Sequence, residues 1–132
     1  MILGDVDGAG AKIEIDSINN TIKILNGTEG DGKVLTSDAS GNATWQAPYL
    51  SAQDSLNFGT ISPNGHQVLT ITVTGAELSD VVNLGIPNAS MSDHASYVAW
   101  VSATNTVSIK CFNFDGSSFD PAIGLFKVKV IK

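Results

Sequence analysis

The sequence predicts an all-β protein with antiparallel sheets. Apolar and polar residues alternate with a period of two in several segments, and no segment keeps a 3.6-residue apolar period over the length of a helix. Thirteen glycines, four prolines and many Ser, Thr and Asn residues supply tight turns between short strands. Hydrophobic residues make up 42% of the 132 residues and charged residues 15%, which is typical of a folded rather than a disordered chain.

Two short β-hairpins are predicted in the first third of the chain. Their strands are residues 12–16 with 21–25, and residues 33–37 with 42–46. The connecting segments Asn19-Asn20 and Asp38-Ala39-Ser40-Gly41 are rich in turn residues. Because an isolated hairpin buries too little surface to be stable in water, residues 1–46 are expected to pack against copies of the same chain.

The rest of the chain predicts a compact β domain. The alternation is lost at residues 47–55, which we interpret as a linker or a short helical turn, so that the domain spans residues 56–132. Five strands are predicted within it, at residues 66–74, 81–86, 96–103, 106–114 and 124–131. Five or six strands at this spacing favour an antiparallel, jelly-roll-like β-sandwich.

The inward-facing residues of the last two strands follow from the alternation. They are Val107, Ile109 and Cys111 in one strand, and Phe126, Val128 and Val130 in the other. Lys127 and Lys129 take the outward positions, where charged side chains commonly protect a sheet edge from unwanted pairing. Cys111 is the only cysteine, so no intrachain disulfide can form, and its apolar neighbours favour a buried thiol over a nucleophile.

The charge of the chain argues against two classes of partner. Its formal net charge is −6, so it has no general attraction to nucleic acid or to anionic lipid. No apolar run approaches the roughly 20 residues of a membrane-spanning helix. Met1-Ile2-Leu3 is followed by Gly and Asp rather than by the apolar stretch of a secretion signal. We therefore expect synthesis in a cytoplasm, with neither nucleic acid nor a membrane as a partner.

Two glycine-rich segments approach known ligand motifs without completing them. Residues 27–34 are similar to a phosphate-binding loop, but Val34 replaces the Ser or Thr that would bind magnesium, and a strand is predicted where a helix is needed. Residues 5–16 are loosely similar to a calcium loop, but Ala9 replaces a ligand and helical flanks are missing from the pattern. A turn and a glycine-rich arm are the favoured interpretations.

No set of residues predicts catalysis or a cofactor. His66 and His94 lack a His or Cys neighbour at zinc-ligand spacing, which leaves only a metal shared by symmetry-related chains as an open alternative. Contiguous residues such as Ser92-Asp93-His94 cannot adopt the geometry of a catalytic triad. We therefore expect a non-enzymatic protein with no catalytic residue, no cofactor and no metal bound by a single chain.

Four aromatic residues leave two uses open. Trp45, Tyr49, Tyr97 and Trp100 would stack on sugars if exposed, whereas aromatic residues in strands more often pack in a core or an interface. We favour packing over sugar stacking for Trp100, and packing between subunits for Trp45.

Residues 30–45 resemble a recurring segment of bacteriophage tail-fibre and head-fibre proteins; their sequence is GDGKVLTSDASGNATW. The preceding residues 13–16 and 21–24 are similar to the β-rich shaft segments of those proteins. Three further pieces, at residues 73–80, 100–107 and 120–122, resemble small distal domains of the same class.

The resemblance implies a homotrimer with interwoven N-terminal strands and a distal β-sandwich head. Residues 1–46 would intertwine and attach to other virion proteins of the capsid or tail. The candidates for packing between chains are Ile13, Ile15, Ile22, Ile24, Leu35 and Trp45. Residues 56–132 would form a head that contacts a host-surface glycan or protein through residues still unassigned. The very short shaft favours a head fibre or spike on the virion surface over a long tail fibre.

Three alternatives remain open at this stage. A capsid decoration protein would stabilise a shell without binding a host. A carbohydrate-binding module or bacterial adhesin would bind sugar as a monomer. A depolymerase, the least favoured, would digest host polysaccharide.

Overall fold

The computed structural model of the chain describes residues 2–4 and 10–132, with side chains from residue 10 onward. Every strand pairing in this part is antiparallel, and a single 3-10 turn at Asn88–Ser90 is its only helical element. The protein is therefore all-β, as predicted. It divides into two compact units, Met1–Pro48 and Tyr49–Lys132.

The N-terminal unit contains two small sheets. Its strands are β1 (Ile2–Gly4), β2 (Lys12–Asp16), β3 (Thr21–Leu25), β4 (Val34–Ser37) and β5 (Ala43–Gln46). The first three form one sheet in the order β1-β2-β3, and β4 pairs with β5. The β2–β3 turn places Asn20 at a φ of 53°, a left-handed conformation that asparagine tolerates better than most residues.

Two aspartates organise the turns of this unit. Asp16 Oδ1 accepts hydrogen bonds from the backbone N–H groups of Ile18 and Asn19 at 2.9 and 3.2 Å. Asp38 Oδ1 accepts from the N–H groups of Ser40 and Asn42, both at 2.9 Å. These bonds satisfy backbone donors that the strands leave unpaired, so the turn residues themselves set where each strand ends.

The C-terminal unit is a sandwich-like pair of three-stranded sheets. Its strands are β6 (Leu50–Leu56), β7 (His66–Thr72), β8 (Val81–Gly85), β9 (Ala95–Ala103), β10 (Thr106–Asn113) and β11 (Gly124–Ile131). One sheet has the order β6-β11-β8 and the other β7-β10-β9. Side chains from both sheets form one buried core, in which the Phe58 and Phe126 rings meet edge to face with centroids 5.6 Å apart.

The predicted core residues of the last two strands are confirmed. Val107, Ile109 and Cys111 are fully buried in β10, and Phe126, Val128 and Val130 are buried in β11. Asn113 continues the inward face of β10 and is also buried. Its Nδ2 donates to the carbonyl oxygens of Ile61 and Ser62 at 3.1 Å and of Ser117 at 2.8 Å, so that the buried amide is satisfied while it ties two loops together.

The interpretation of residues 47–55 as a linker is wrong for most of that segment. Leu50–Leu56 is strand β6, and it pairs with β11 from Leu50 opposite Val130 to Leu56 opposite Gly124. The C-terminal unit consequently begins at Tyr49 rather than at residue 56. The alternation was obscured because Asp54 stands at a position opposite the buried Phe126, which an edge strand permits and a central strand would not.

The edge-protection role predicted for Lys127 and Lys129 is also wrong. Both side chains face outward, as expected, but β11 is the middle strand of its sheet and has β6 on one side and β8 on the other. Its backbone groups are already paired on both sides, so the two lysines have no edge to protect.

Candidate functional site

Four isoleucines form an apolar surface on the N-terminal unit, which we call the isoleucine face: Ile13, Ile15 and Ile22 are exposed and Ile24 is half-buried. In the β2–β3 register Ile13 lies opposite Ile24, and Ile15 lies opposite Ile22. Directly opposite residues of an antiparallel pair point to the same side, so the four side chains share one face. Ile15 is 46% exposed and Ile22 69% exposed. The structure therefore brings four of the six candidate packing residues together.

The opposite face of the same strand pair is charged. Lys12 Nζ lies 2.7 Å from Glu14 Oε1, and Lys23 stands opposite Glu14 in the register. The hydrogen bond and the charge of Lys12, with a smaller effect of Lys23, lower the pKa of the Glu14 carboxyl below its ordinary value. The strand pair is thus clearly two-sided, with one face suited to water and the other suited to burial.

Trp45, another candidate for packing between chains, has a role within its own chain. Its indole Nε1 donates to the carbonyl oxygen of Ile24 at 2.8 Å, and its backbone N–H donates to Thr28 Oγ1 at 2.9 Å. These bonds join the β4–β5 pair to the β1-β2-β3 sheet. Leu35 lies opposite Trp45 in the β4–β5 register and keeps more than a third of its surface exposed. Packing of Leu35 and Trp45 against another chain stays a prediction.

The N-terminal unit lacks a core of its own in the part described with side chains. No residue from 10 to 48 is buried, although the segment carries isoleucine, leucine, valine and tryptophan side chains. Apolar burial is the main term that offsets the conformational entropy lost on folding. A unit that folds without such burial needs another surface to cover its apolar face.

A second exposed apolar surface lies on the outside of the β7-β10-β9 sheet. Trp100 is 38% exposed there. It stands opposite Ser108, whose neighbours Val107 and Ile109 point inward, so the register turns the indole outward. The ammonium group of Lys110 lies 5.6 Å from the Trp100 ring centroid, within the range of a cation–π interaction.

A shallow groove runs along the outside of the β6-β11-β8 sheet. We call it the lysine groove; it has a volume of about 340 Å³ and is lined by Tyr49, Ser51, Ala52, Gln53, Lys127, Val128 and Lys129. The ammonium nitrogen of Lys129 lies 4.2 Å from the centroid of the Tyr49 ring. The alternation of β11 indicated that the two lysines face outward, but not that β6, mistaken for a linker, would build the other wall.

The glycine-rich segment that is similar to a phosphate loop is a turn closed on itself. Lys33 Nζ donates to the carbonyl oxygen of Thr28 at 2.6 Å, and the Glu29 carboxylate accepts from the backbone N–H groups of Asn26 and Gly27. Strand β4 begins at Val34, where a phosphate site would need a helix. The lysine and the loop amides are therefore already engaged within the chain.

The calcium-like segment falls partly outside the described residues, which exclude residues 5–9. Asp16, the last residue of that segment, is the acceptor of the β2–β3 turn. The side-chain amide and backbone N–H of Asn19, together with the N–H of Ile18, lower the pKa of the Asp16 carboxyl. These bonds give the carboxylate a structural role in the turn.

The nucleophilic and metal-ligating side chains are dispersed. Burial raises the pKa of the Cys111 thiol and of the Tyr97 phenol, and Tyr97 Oη donates to the carbonyl oxygen of Ser90 at 2.7 Å. Ser92 Oγ accepts from the backbone N–H of His94 in a loop. Within residues 2–4 and 10–132, no three His, Cys, Asp or Glu side chains gather where they could hold a metal ion. The expected absence of an active site and of a metal stays a prediction.

Comparison with known proteins adds no relative from which to transfer a role: the chain matches no family model, no curated protein and no solved structure. Within the part of the chain that the structure describes, no helix has the length and apolarity to cross a membrane. The candidate functional surfaces are therefore the isoleucine face, the outer face of the β7-β10-β9 sheet and the lysine groove.

Proposed function

We propose that the chain is a structural virion protein that assembles as a homotrimer and forms a phage head fibre or a capsid-surface spike. The observation that carries the self-association is the isoleucine face on a unit in which no described side chain is buried. The placement on a virion follows from the resemblance of residues 30–45 to phage fibre proteins. The mechanism is attachment and binding rather than turnover.

The energetics of the isoleucine face favour a permanent partner. Full burial of an exposed isoleucine side chain contributes about 1.5–3 kcal/mol, and covering the parts of these four side chains that are still in water would gain a share of that at each. A partner that met the chain only occasionally would leave this surface in water for most of its lifetime. Copies of the same chain are always present, and a three-fold axis lets each chain present the same face to the others.

The two units then divide the work of a fibre. The N-terminal unit would intertwine with its copies and contact the capsid or tail, while the C-terminal unit, which has its own core, would form the exposed head. A host-surface glycan or protein is the expected ligand of the head. Three heads on one particle would strengthen weak individual contacts by raising the effective concentration.

A carbohydrate-binding module or adhesin is the second candidate function. The exposed indole of Trp100 and the lysine groove favour it, because both are surfaces on which a sugar could rest. Such a module would bind glycan as a monomer, whereas a capsid decoration protein would form the oligomer and bind no host.

The solution mass of the full chain, measured by light scattering after size exclusion, tests the proposal. We expect three times the 13.7 kDa of one chain, unchanged on dilution through the micromolar range. A stable monomer would contradict the fibre and favour the binding module. A trimer that binds neither host cells nor a glycan array would instead support the decoration protein.

A further inference from the structure

Lys127 and Lys129 occupy the centre of a polar surface. In the β6-β11-β8 sheet Lys127 lies between Gln53 and Gly85, and Lys129 lies between Ser51 and Asn83. The two lysines are two residues apart on one strand, so their backbone positions are separated by about 6.7 Å on the same face. Neutral hydrogen-bonding side chains and a glycine therefore surround a pair of like charges.

This pair of cations has no ion-pair partner among the described residues. The chain has 13 acidic and 7 basic residues, so carboxylates are plentiful. Lys12 pairs with Glu14, and Lys132 lies 3.4 Å from carboxylate oxygens of Glu77 and Asp80, whereas neither groove lysine has a carboxylate of residues 10–132 within 4 Å. An anion placed between two neighbouring unpaired ammonium groups would gain attraction from both and relieve their repulsion.

The groove also has the size and the aromatic wall of a ligand site. Its volume of about 340 Å³ falls at the lower end of the range for small-molecule sites. The Tyr49 ring holds the Lys129 ammonium group 4.2 Å from its centroid and is itself 38% exposed. Ser51, Gln53 and Asn83 offer donors and acceptors that suit sugar hydroxyl groups.

We propose that the lysine groove binds an acidic polysaccharide, with successive carboxylate or phosphate groups of the glycan on Lys127 and Lys129. The charges of the two lysines favour an anionic ligand. The neutral side chains of Ser51, Gln53 and Asn83 and the ring of Tyr49 suit the sugar that links successive anionic groups. A nucleic acid would need many phosphate contacts over a wide positive surface, whereas the groove offers two lysines. The proposal rests on the host contact assigned to the head above, and it names the chemical class of that contact.

The test is a calorimetric titration of the full chain at low salt with three short oligosaccharides. Oligogalacturonate supplies carboxylates, a hexose oligomer joined by phosphodiesters supplies phosphates, and a maltodextrin of equal length is neutral. We expect binding of at least one acidic oligomer, and weakening as the salt concentration rises because screening shortens the reach of the two charges. The acidic oligomer that binds identifies the source of the anion.

Two matched double variants separate the groove from general charge. Lys127→Gln with Lys129→Gln should weaken binding about tenfold for each lysine, since a hydrogen bond to a charged group contributes on that scale. Lys23→Gln with Lys132→Gln makes the same change in net charge at residues that do not line the groove, and it should leave the affinity unchanged. Tyr49→Ala should weaken binding by about threefold, because it removes the ring that positions Lys129.

Several results would overturn the proposal. They are an unmodified chain that binds neither acidic oligomer, a groove variant that binds as tightly as the unmodified chain, and a single-stranded oligonucleotide that binds as tightly as the sugar. A trimeric mass without acidic-sugar binding would contradict the proposed groove site but not the proposed fibre. Acidic-sugar binding by a monomeric chain would keep the site and contradict the fibre.

Discussion

Both units contain strands in which apolar and polar residues alternate, but only in the C-terminal unit does a second sheet cover the apolar face. In the C-terminal unit the inward faces of two sheets meet, and residues such as Ile109 and Phe126 are fully buried. In the N-terminal unit the isoleucines of β2 and β3 share a face just as regular, yet Ile22 stays 69% exposed. Alternation thus indicates which side chains share a face. Whether that face is buried depends on a second layer that packs against it.

This difference in burial indicates which of the two units is expected to need other molecules for its stability. The C-terminal unit has the core that an independent small domain needs, and buried Asn113 is satisfied within it. The N-terminal unit has hydrogen-bonded turns and paired strands, which fix its local geometry, but no buried apolar layer among its described side chains. Its stability is therefore expected to depend on assembly, and the following variants test that contrast.

The largest effect is expected from Phe126→Ala. The Phe126 ring is fully buried and packs against Phe58 and Tyr97, with ring centroids 5.6 and 5.5 Å away. Loss of a buried phenylalanine costs about 3–5 kcal/mol, which is most of the stability of a small domain. Urea unfolding followed by near-ultraviolet circular dichroism measures the loss.

Phe114→Ala is the matched control for that variant. Phe114 is 64% exposed, so the same change of side chain should alter the free energy of unfolding by less than about 1 kcal/mol. Equal losses for the two variants would contradict the core assigned to the C-terminal unit.

Ile22→Lys should dissociate the trimer while the C-terminal unit stays folded. The variant places a charge on the isoleucine face, where assembly would bury it without a partner. Light scattering should show the mass of one chain, or a much larger dissociation constant. The expected cost includes the roughly 1.5–3 kcal/mol of apolar burial lost at each copy.

Thr21→Lys introduces the same charge one residue away. Thr21 is exposed on the opposite, charged face of β3, across from Asp16, so the trimer should persist. A trimer that survives Ile22→Lys, or one that is lost equally in both variants, would mean that the isoleucine face is not the assembly surface.

The sequence predicted the inward positions of β10 and β11 because apolar residues recur at every second position through most of each strand, as at Phe126, Val128 and Val130. It missed β6 because Ser51, Gln53 and Asp54 make that edge strand look like a linker. It left the side of Trp100 open because the composition of β9 does not indicate which of two neighbouring apolar residues, Trp100 or Val101, faces inward. The register against β10 decides that, and register is a long-range property.

One of the candidate surfaces could be predicted from the sequence and another could not. The isoleucine face follows from local alternation and a short turn, so the residues that share it are readable from the sequence. The lysine groove could not be predicted, because the sequence does not show that β11 lies between β6 and β8. The lysines alone suggested edge protection, and their pairing with Tyr49 across strands emerges only from the fold.

A smaller effect is expected from Trp45→Phe. The variant keeps an aromatic ring opposite Leu35 and removes the indole N–H that donates to Ile24. Loss of one such bond costs about 0.5–1.5 kcal/mol. The thermal midpoint of the trimer should fall modestly, and Trp45→Ala should lower it further because packing is then lost as well. A midpoint unchanged by Trp45→Phe would show that this bond does not hold the two sheets of the unit together.

The smallest effect is a gradual weakening of the N-terminal unit in acid. Hydrogen bonds lower the pKa of the carboxyl groups of Asp16, Glu29 and Asp38, and Lys12 does so for Glu14. A carboxyl whose pKa is lower in the folded than in the unfolded state stabilises the fold above its unfolded pKa, and that contribution is lost as the pH falls through the folded pKa.

Assembly should therefore weaken as the pH drops below about 4, near the ordinary carboxyl values. Because these carboxyl groups are exposed to solvent, the change should be slight and best seen as a rise in the trimer dissociation constant. Asp38→Asn removes one of the titrating groups that hold the β4–β5 turn, through its bonds to Ser40 and Asn42. At neutral pH the trimer of this variant should have a larger dissociation constant than that of the unmodified chain, and this constant should rise less in acid. A pH profile parallel to that of the unmodified chain would rule out a contribution from this turn.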